Sequence, residues 1–313
     1  MNLRIATRGS PLALWQARHI ADALRAFTAS DPVELILVET TGDKVRDRPL
    51  SQIGGDGLFT KEIQRALLDG RADVAVHSLK DLPTEPTPGV VLAAVPPRGS
   101  TGDAFVSKKH LHFDDLPRNA LIATGSLRRQ AQLRWRRPDV QLTSIRGNVE
   151  TRLQKLDEGS LDAIILAQAG LERLQLTHAI TEVLDPSWML PAVGQGALGL
   201  ECRDGDAATR AILGQLNDPA TFVTVAAERA FLRTLGGGCS LPVGVVSQLE
   251  GYQIAIRGVL LDPNGRQRLE ANQSGPAADP ESLGRRLAQD LLEKGGETIL
   301  LALRKGPEAT SLS

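Results

Sequence analysis

Residues 3–7, LRIAT, read as a short buried strand, and RGSPLALWQARHIADALRAF behind them reads as a helix, with Ser10 as its N-cap and Pro11 at its first position. This abrupt passage from strand to helix constrains the fold more than any other feature, because the strand needs partners and the helix needs a sheet face to cover. The chain supplies both. VELILVETTGD gives a second strand, SQIGGDGLF a glycine-rich loop, TKEIQRALLDG a helix, and ADVAVHS a strand that feeds the loop LKDLPTEPTPG. Strands alternating with helices predict an α/β fold with a parallel or mixed sheet.

The pattern then recurs. LIATGSLRRQAQLRW repeats the strand, Gly-Ser and helix order of IATRGSPLALWQ, and GSLDAIILAQAG echoes GRADVAVHSLKD, which predicts two lobes of similar build. After LPAVGQGALGLECRDGD the chain is expected to return to the first lobe, since its apolar strand belongs to no complete new unit. From about residue 219 the character changes. FVTVAAERAFLRTL reads as an amphipathic helix, GGGCSLP as a loop, VGVVSQLEG, YQIAIRGVLLD and RQRLEANQSG as strands, and PESLGRRLAQDLLEKGG as a closing helix. The expected division is residues 1–96 with 197–214 as domain 1, 97–196 as domain 2, and 219–313 as a small α+β domain 3. A chain of 313 residues exceeds the ~250–300 at which one core stops growing, consistent with several domains.

Composition excludes several classes. No long apolar run and no basic-then-apolar leader occurs, so the reading is a cytoplasmic chain without a membrane partner. The two cysteines, Cys202 and Cys239, are too few for a disulfide framework or a cysteine-based zinc site. The five histidines include no HxxxH or HExxH pair, and no metal is expected. GGDGLFTKE lacks the Gly-Lys-Ser/Thr ending of a P-loop and no GxGxxG follows a strand, which removes nucleotide binding. A net charge of −1 offers no general attraction to nucleic acid, yet 28 of the 36 basic residues are arginine, whose planar fork suits carboxylates.

Three groups of residues stand where strands end and helices begin: Arg8 with Gly9 and Ser10, Gly125 and Ser126 with Arg128 and Arg129, and Arg146 with Gly147 and Asn148. Helix N-termini carry unpaired N–H groups and the positive end of the dipole, and Arg152 follows within two turns of Arg146. Together they predict a cleft for several carboxylates or phosphates. Lys80 and Asp81 lie just beyond a buried strand, at the edge where α/β sheets keep ligands, and an aspartate there can exchange a proton or hold a cation. Cys239 stands in GGGCSLP, where glycines leave the sulfur approachable, whereas Cys202 sits in the apolar run GALGLEC as a buried hydrophobe.

ATRGSPLALWQ, TTGD, GGDGLFTKE, ADVAVHSLKDLP, TGSLRRQAQL, IRGNVETRL, LDAIILAQAGL, LPAVGQGALG, AAERAFL and GGGCSLPVG, in this order, closely resemble the porphobilinogen deaminase (hydroxymethylbilane synthase) family. The resemblance implies two lobes like those of periplasmic binding proteins, with mixed sheets, plus a small α+β C-terminal domain. It implies a dipyrromethane cofactor attached through a thioether to Cys239, and head-to-tail condensation of four porphobilinogen molecules with loss of ammonia. By match to the family's motifs, Asp81 is the catalytic carboxylate. Lys80, Asp81, Thr124, Ser126, Arg128, Arg129, Arg146 and Gly147 are expected around the cofactor, and Arg8, Ser10, Gln16, Phe59, Ser78, Arg146, Arg152 and Arg173 around substrate. Family analogy implies a monomer.

Two positions depart from the family's usual pattern: Asp56 replaces a lysine, and Gly125 replaces a serine. Two rival readings remain at this point. A non-catalytic binder of a small carboxylate ligand shares the two-lobed architecture but has no use for Cys239. A nucleic-acid binder would use SLRRQAQLRWRRP as a basic helix, against the near-neutral charge and an aromatic content of only 3%.

Overall fold

The computed structural model describes residues 2–27, 32–44, 57–238 and 241–305; Asp56 and Cys239 lie outside the described residues. The chain lays down β1 (Leu3–Thr7), β2 (Val33–Leu37), β3 (Val74–Ser78) and β4 (Val90–Ala94), then crosses into a second lobe. There it forms β5 (Asp103–Val106), β6 (Leu121–Ala123), β7 (Gln141–Thr143), β8 (Ala163–Ala167) and β9 (Glu182–Val183). It crosses back to add β10 (Leu198–Arg203) and ends in β11 (Val243–Glu250), β12 (Gln253–Leu261) and β13 (Arg268–Pro276). The helices, in chain order, are α1 (Pro11–Arg25), α2 (Thr41–Lys44), α3 (Lys61–Leu68), α4 (Leu127–Arg136), α5 (Val149–Asp157), α6 (Gln168–Arg173), α7 (Ala207–Gly214), α8 (Pro219–Thr234), α9 (Pro280–Leu291) and α10 (Glu297–Lys305).

The two large sheets have the same design. The first runs β2-β1-β3-β10-β4 and the second β7-β6-β8-β5-β9. In each, the first three strands are parallel and the fourth is antiparallel to its neighbours. That antiparallel strand is the one laid down directly after a crossing, so each lobe is completed by the chain arriving from the other. β10 thus pairs with β3 and β4 across more than a hundred residues of sequence, as the isolated apolar run GALGLEC suggested.

The chemistry of the side chains fixes these elements. Ser10 caps α1 by accepting from the Ala13 amide, Pro11 follows at its first turn, and the buried face is Gln16, Ala17, Ile20, Ala21 and Leu24. Leu3, Ile5, Leu24 and Val74 are fully buried, each aliphatic side chain contributing about 1.5–3 kcal/mol through removal from water. Cys202 lies in the same core, and burial pushes its thiol up to about 11, as expected of an inert hydrophobe.

The C-terminal domain packs α8 and α9 on the antiparallel sheet β11-β12-β13, with Phe231, Ile256, Leu260, Leu283 and Leu287 at its centre. The helix expected over 280–296 does not end at its glycines. Gly295 adopts φ 104°, the left-handed region open to glycine, and helix resumes as α10. Among the described residues no helix is long and apolar enough to cross a membrane.

Candidate active site

The strand ends of both lobes meet over one cluster of charge. β3 runs into a short 3-10 turn, Leu79–Asp81, which delivers Lys80 and Asp81 half-buried at the edge of the first sheet. A cavity of about 70 Å³ there is lined by Arg8, Ser10, Gln16, Phe59, Ser78 and Asp81, among others. Gln16 Nε2 donates to Ser78 Oγ at 2.8 Å, which ties α1 to the end of β3.

From the second lobe come α4 and α5, capped by Ser126 and Asn148, whose side chains accept from the amides of Arg129 and Thr151. Each cap occupies one first-turn amide that sequence reasoning left open for a ligand. Electrostatics shows the lobes facing one another. Burial pushes the Lys80 ammonium down to about 8, with Arg129 and Arg128 adding to the fall and Asp81 and Asp103 opposing it. Burial likewise pushes Arg152 down to about 10, deepened by Arg129 and Arg146 and relieved by Asp81. The charge of Asp81 therefore acts both on a lysine of its own lobe and on an arginine of the other.

Arg128 and Arg129, both expected around the cofactor, are buried on Asp103 at the start of β5. Arg128 Nη1 donates to Oδ2 at 2.6 Å, and Arg129 donates from Nη2 at 2.7 Å and from Nε at 2.9 Å to Oδ1. Arg128 Nη1 also donates to Leu190 O, Arg129 Nη1 to Ile165 O, and Gln195 Nε2 to Asp103 Oδ1. Burial alone would raise the Asp103 pKa; the two guanidiniums outweigh it and hold the carboxyl far below its usual range.

Arg8, likewise expected on substrate, donates in a fork to Asp43, with Nη2 2.5 Å from Oδ1, and lies 4.1 Å over the Phe59 ring. Burial works to raise Asp43, but hydrogen bonds from Arg8 and Thr40 keep it below its ordinary value. Gly42 makes this stack possible, since a Cβ there would run into the Phe59 ring. The ring therefore already carries a cation on its face.

The remaining expected residues divide between cleft and scaffold. Thr124 is buried, and its hydroxyl accepts from the Ser126 amide, shaping the turn before α4. Gly147 adopts φ 115°, and its carbonyl accepts from Arg152 Nε at 2.8 Å. Arg173 sits at the crossing, where its Nη2 donates to Gly196 O at 2.6 Å and its guanidinium lies 5.8 Å from the Trp15 ring of the other lobe. At Gly125 a Cβ would stand 3.3 Å from Ile145 O, so a serine there requires that carbonyl to yield slightly. Arg134 donates to Pro263 O, Arg136 to Asp114 and Arg137 to Asp139, so the basic helix proposed for nucleic acid is engaged within the molecule.

Asp43, Asp103 and Gln195 escaped the sequence reading as functional residues. Asp103 left a trace: a carboxylate heading the apolar strand DAFV must be paired if that strand is buried.

Family models described as "Porphobilinogen deaminase, dipyromethane cofactor binding domain" and "Porphobilinogen deaminase, C-terminal domain" match residues 3–211 and 222–293. The chain belongs to the porphobilinogen deaminase family. A relative named porphobilinogen deaminase, from Syntrophomonas wolfei subsp. wolfei, is 47% identical over 304 residues, covering 97% of this chain and 99% of the relative. Solved structures with a similar course include a periplasmic substrate-binding protein of an ABC transporter from Coxiella burnetii (15% identity, TM-score 0.44, 72% of this chain and 96% of that one). A YaeC-family lipoprotein from Enterococcus faecalis is another (17% identity, TM-score 0.42, 69% and 90%). Membership in the porphobilinogen deaminase family identifies a transferase that uses a dipyrromethane cofactor, and the carboxylate-binder reading falls with it.

The residues present fit such a group. Dipyrromethane carries several carboxylates, and burial weakens the charged forms of Lys80 and Arg152, on both of which the charge of Asp81 acts, a cost that an anionic ligand offsets. Arg128 Nε is in addition buried without a hydrogen-bond partner among the described residues.

Proposed function

We propose that this family member condenses four porphobilinogen molecules into hydroxymethylbilane, with Asp81 as the catalytic carboxylate and Cys239 as the thioether anchor of the cofactor. The observation that carries the reading is the position of Asp81, which lines the cavity of the first lobe while its charge acts on Lys80 and on Arg152 of the second. When bound, dipyrromethane would supply the terminal pyrrole carbon to which the first unit is joined; each later unit joins the one before it, and hydrolysis of the bond to the primer releases the tetrapyrrole with its hydroxymethyl end.

The chain's own residues supply the rest. Lys80, Arg146 and Arg152 bind acetate and propionate groups, and Arg8 does so after exchanging Asp43 for a substrate carboxylate. Ser10, Ser78 and Gln16 provide neutral hydrogen bonds at the cavity wall. Asp81 accepts the pyrrole N–H. As the aminomethyl C–N bond breaks and ammonia leaves, positive charge develops on that ring and Asp81 stabilises it at close range. Once the new C–C bond has formed, one proton must leave the ring carbon, and Asp81 is placed to receive it.

The same reading takes the domains as residues 1–96 with 197–214, 97–196 and 219–313, and the protein as a cytoplasmic monomer acting on a small molecule. Asp81→Ala should abolish turnover while leaving a mass increment of two pyrrole units in a denaturing mass spectrum. Cys239→Ser should remove the increment. Normal turnover by Asp81→Ala, or an unmodified wild-type chain, would refute the assignment.

A further inference from the structure

The turn that carries Lys80 and Asp81 is held from outside its own lobe. Leu79 and Leu82, which flank the two charged residues, share a core with Val95, Ala197 and Val225, and Phe222 packs against it. Phe222 and Val225 belong to α8 of the C-terminal domain. One turn further along the same helix face, Arg229 donates from Nη1 to Leu82 O at 3.1 Å and from Nη2 to Pro83 O at 2.7 Å. The spacing 222, 225, 229 keeps all three side chains on one stripe, so a single helix face presents two apolar contacts and then a fork.

The fork falls directly after Asp81. On the N-terminal side the turn is anchored by β3 and by the Leu79 amide, which donates to Ala197 O at 3.0 Å. On the C-terminal side the Leu82 amide closes the turn on Leu79 O, Pro83 has no amide, and the two carbonyls gripped by Arg229 are the anchors. Burial lowers the Arg229 pKa, with Glu201 opposing it, so the guanidinium is held in place against its preference for water. A buried cation directed at main-chain carbonyls is a poor source of stability but a good fixer of geometry.

We infer that Arg229 is a positioning residue for the reaction, fixing the Asp81 carboxylate relative to the helix that leads into the loop of Cys239. The inference rests on the functional reading above. The same helix supports both ends of the chemistry: Arg229 sets the carboxylate, and ten residues later the chain reaches the tether. Without the fork, Asp81 remains in its lobe but loses its fixed position relative to α8.

The test compares Arg229→Met and Arg229→Lys with wild type, all with cofactor loading verified by denaturing mass spectrometry. In the loaded Arg229→Met protein, kcat should fall roughly 10- to 100-fold, the cost of displacing a catalytic group by about an ångström, with KM within about twofold. Arg229→Lys should recover part of the loss. Independently of activity, amide hydrogen exchange in a peptide covering residues 79–84 should quicken in Arg229→Met. Wild-type kcat and wild-type exchange in loaded Arg229→Met overturn the inference; should that variant fail to fold, the same result in Arg229→Lys does so. A kcat loss that only follows the folded fraction also overturns it. A wild-type chain without the two-pyrrole increment sinks the functional reading instead, so the two failures are distinguishable.

Discussion

Two arginine–aspartate clamps stand at the strand ends of this molecule, one in each lobe, and they differ in access to water. In the second lobe Asp103 is sealed, its side chain 0% exposed beside Arg128 and Arg129 at 5% and 7%. In the first lobe Arg8 and Asp43 are each 23% exposed. The same chemistry therefore serves two purposes. A sealed pair cannot exchange its carboxylate without leaving a buried charge behind, so it sets geometry; a half-open pair can trade Asp43 for an incoming acid at small cost.

The sharpest way to break this contrast is Asp103→Asn. Removing the charge leaves two buried guanidiniums without their anion, and stability should drop by about 3–5 kcal/mol in urea unfolding, with cofactor loading lost as α4 shifts. An unchanged unfolding midpoint would show that the clamp is not sealed in solution.

A second, intermediate effect tests the cleft between the clamps. The proposed role of Lys80 in binding an acid requires its protonated form, and its folded pKa lies near 8, lowered from 10.5 by burial. The KM for porphobilinogen should therefore rise as pH passes upward through about 8, and Lys80→Arg should flatten that limb. The sign for folding is opposite. Between about 8 and 10.5 the unfolded chain holds the proton that the unloaded fold releases, so stability of the unloaded protein should increase with pH across that window. A KM that is flat to pH 9.5, as judged by initial rates, would place Lys80 outside the binding surface.

The smallest effect is expected at the open clamp. Asp43→Asn should change stability by less than about 1 kcal/mol, and by removing a competitor for Arg8 should lower KM by up to about fivefold. A raised KM would mean that Asp43 orients Arg8 instead of occupying it.

Much of this fold could be read along the chain because its determinants are local. Ser10 and Pro11 announce α1, Ser126 announces α4, and the alternation of apolar strand and amphipathic helix requires a layered α/β build. The list of cleft residues could be carried over by motif, but their partners could not. Asp103 lies 25 residues from Arg128 and Asp43 lies 35 from Arg8, and no periodicity relates them. The antiparallel strand in each sheet is likewise set by a crossing, a long-range event. Arg229 stands in the motif AAERAFL, yet its grip on residues 82 and 83 spans 147 and 146 positions and leaves no local mark.

One helix joins these distant events. From α8, Glu228 accepts from the two terminal nitrogens, Nη1 and Nη2, of Arg98 on the first crossing and from the amide of Gly194 on the second, while the next residue holds the Asp81 turn. A truncated chain ending at Asn217 would keep all ten described strands of the two lobes. It would nonetheless lack the counter-ion of its crossings, the brace of its carboxylate and the thiol itself, so the smallest domain is the one this catalyst can least do without.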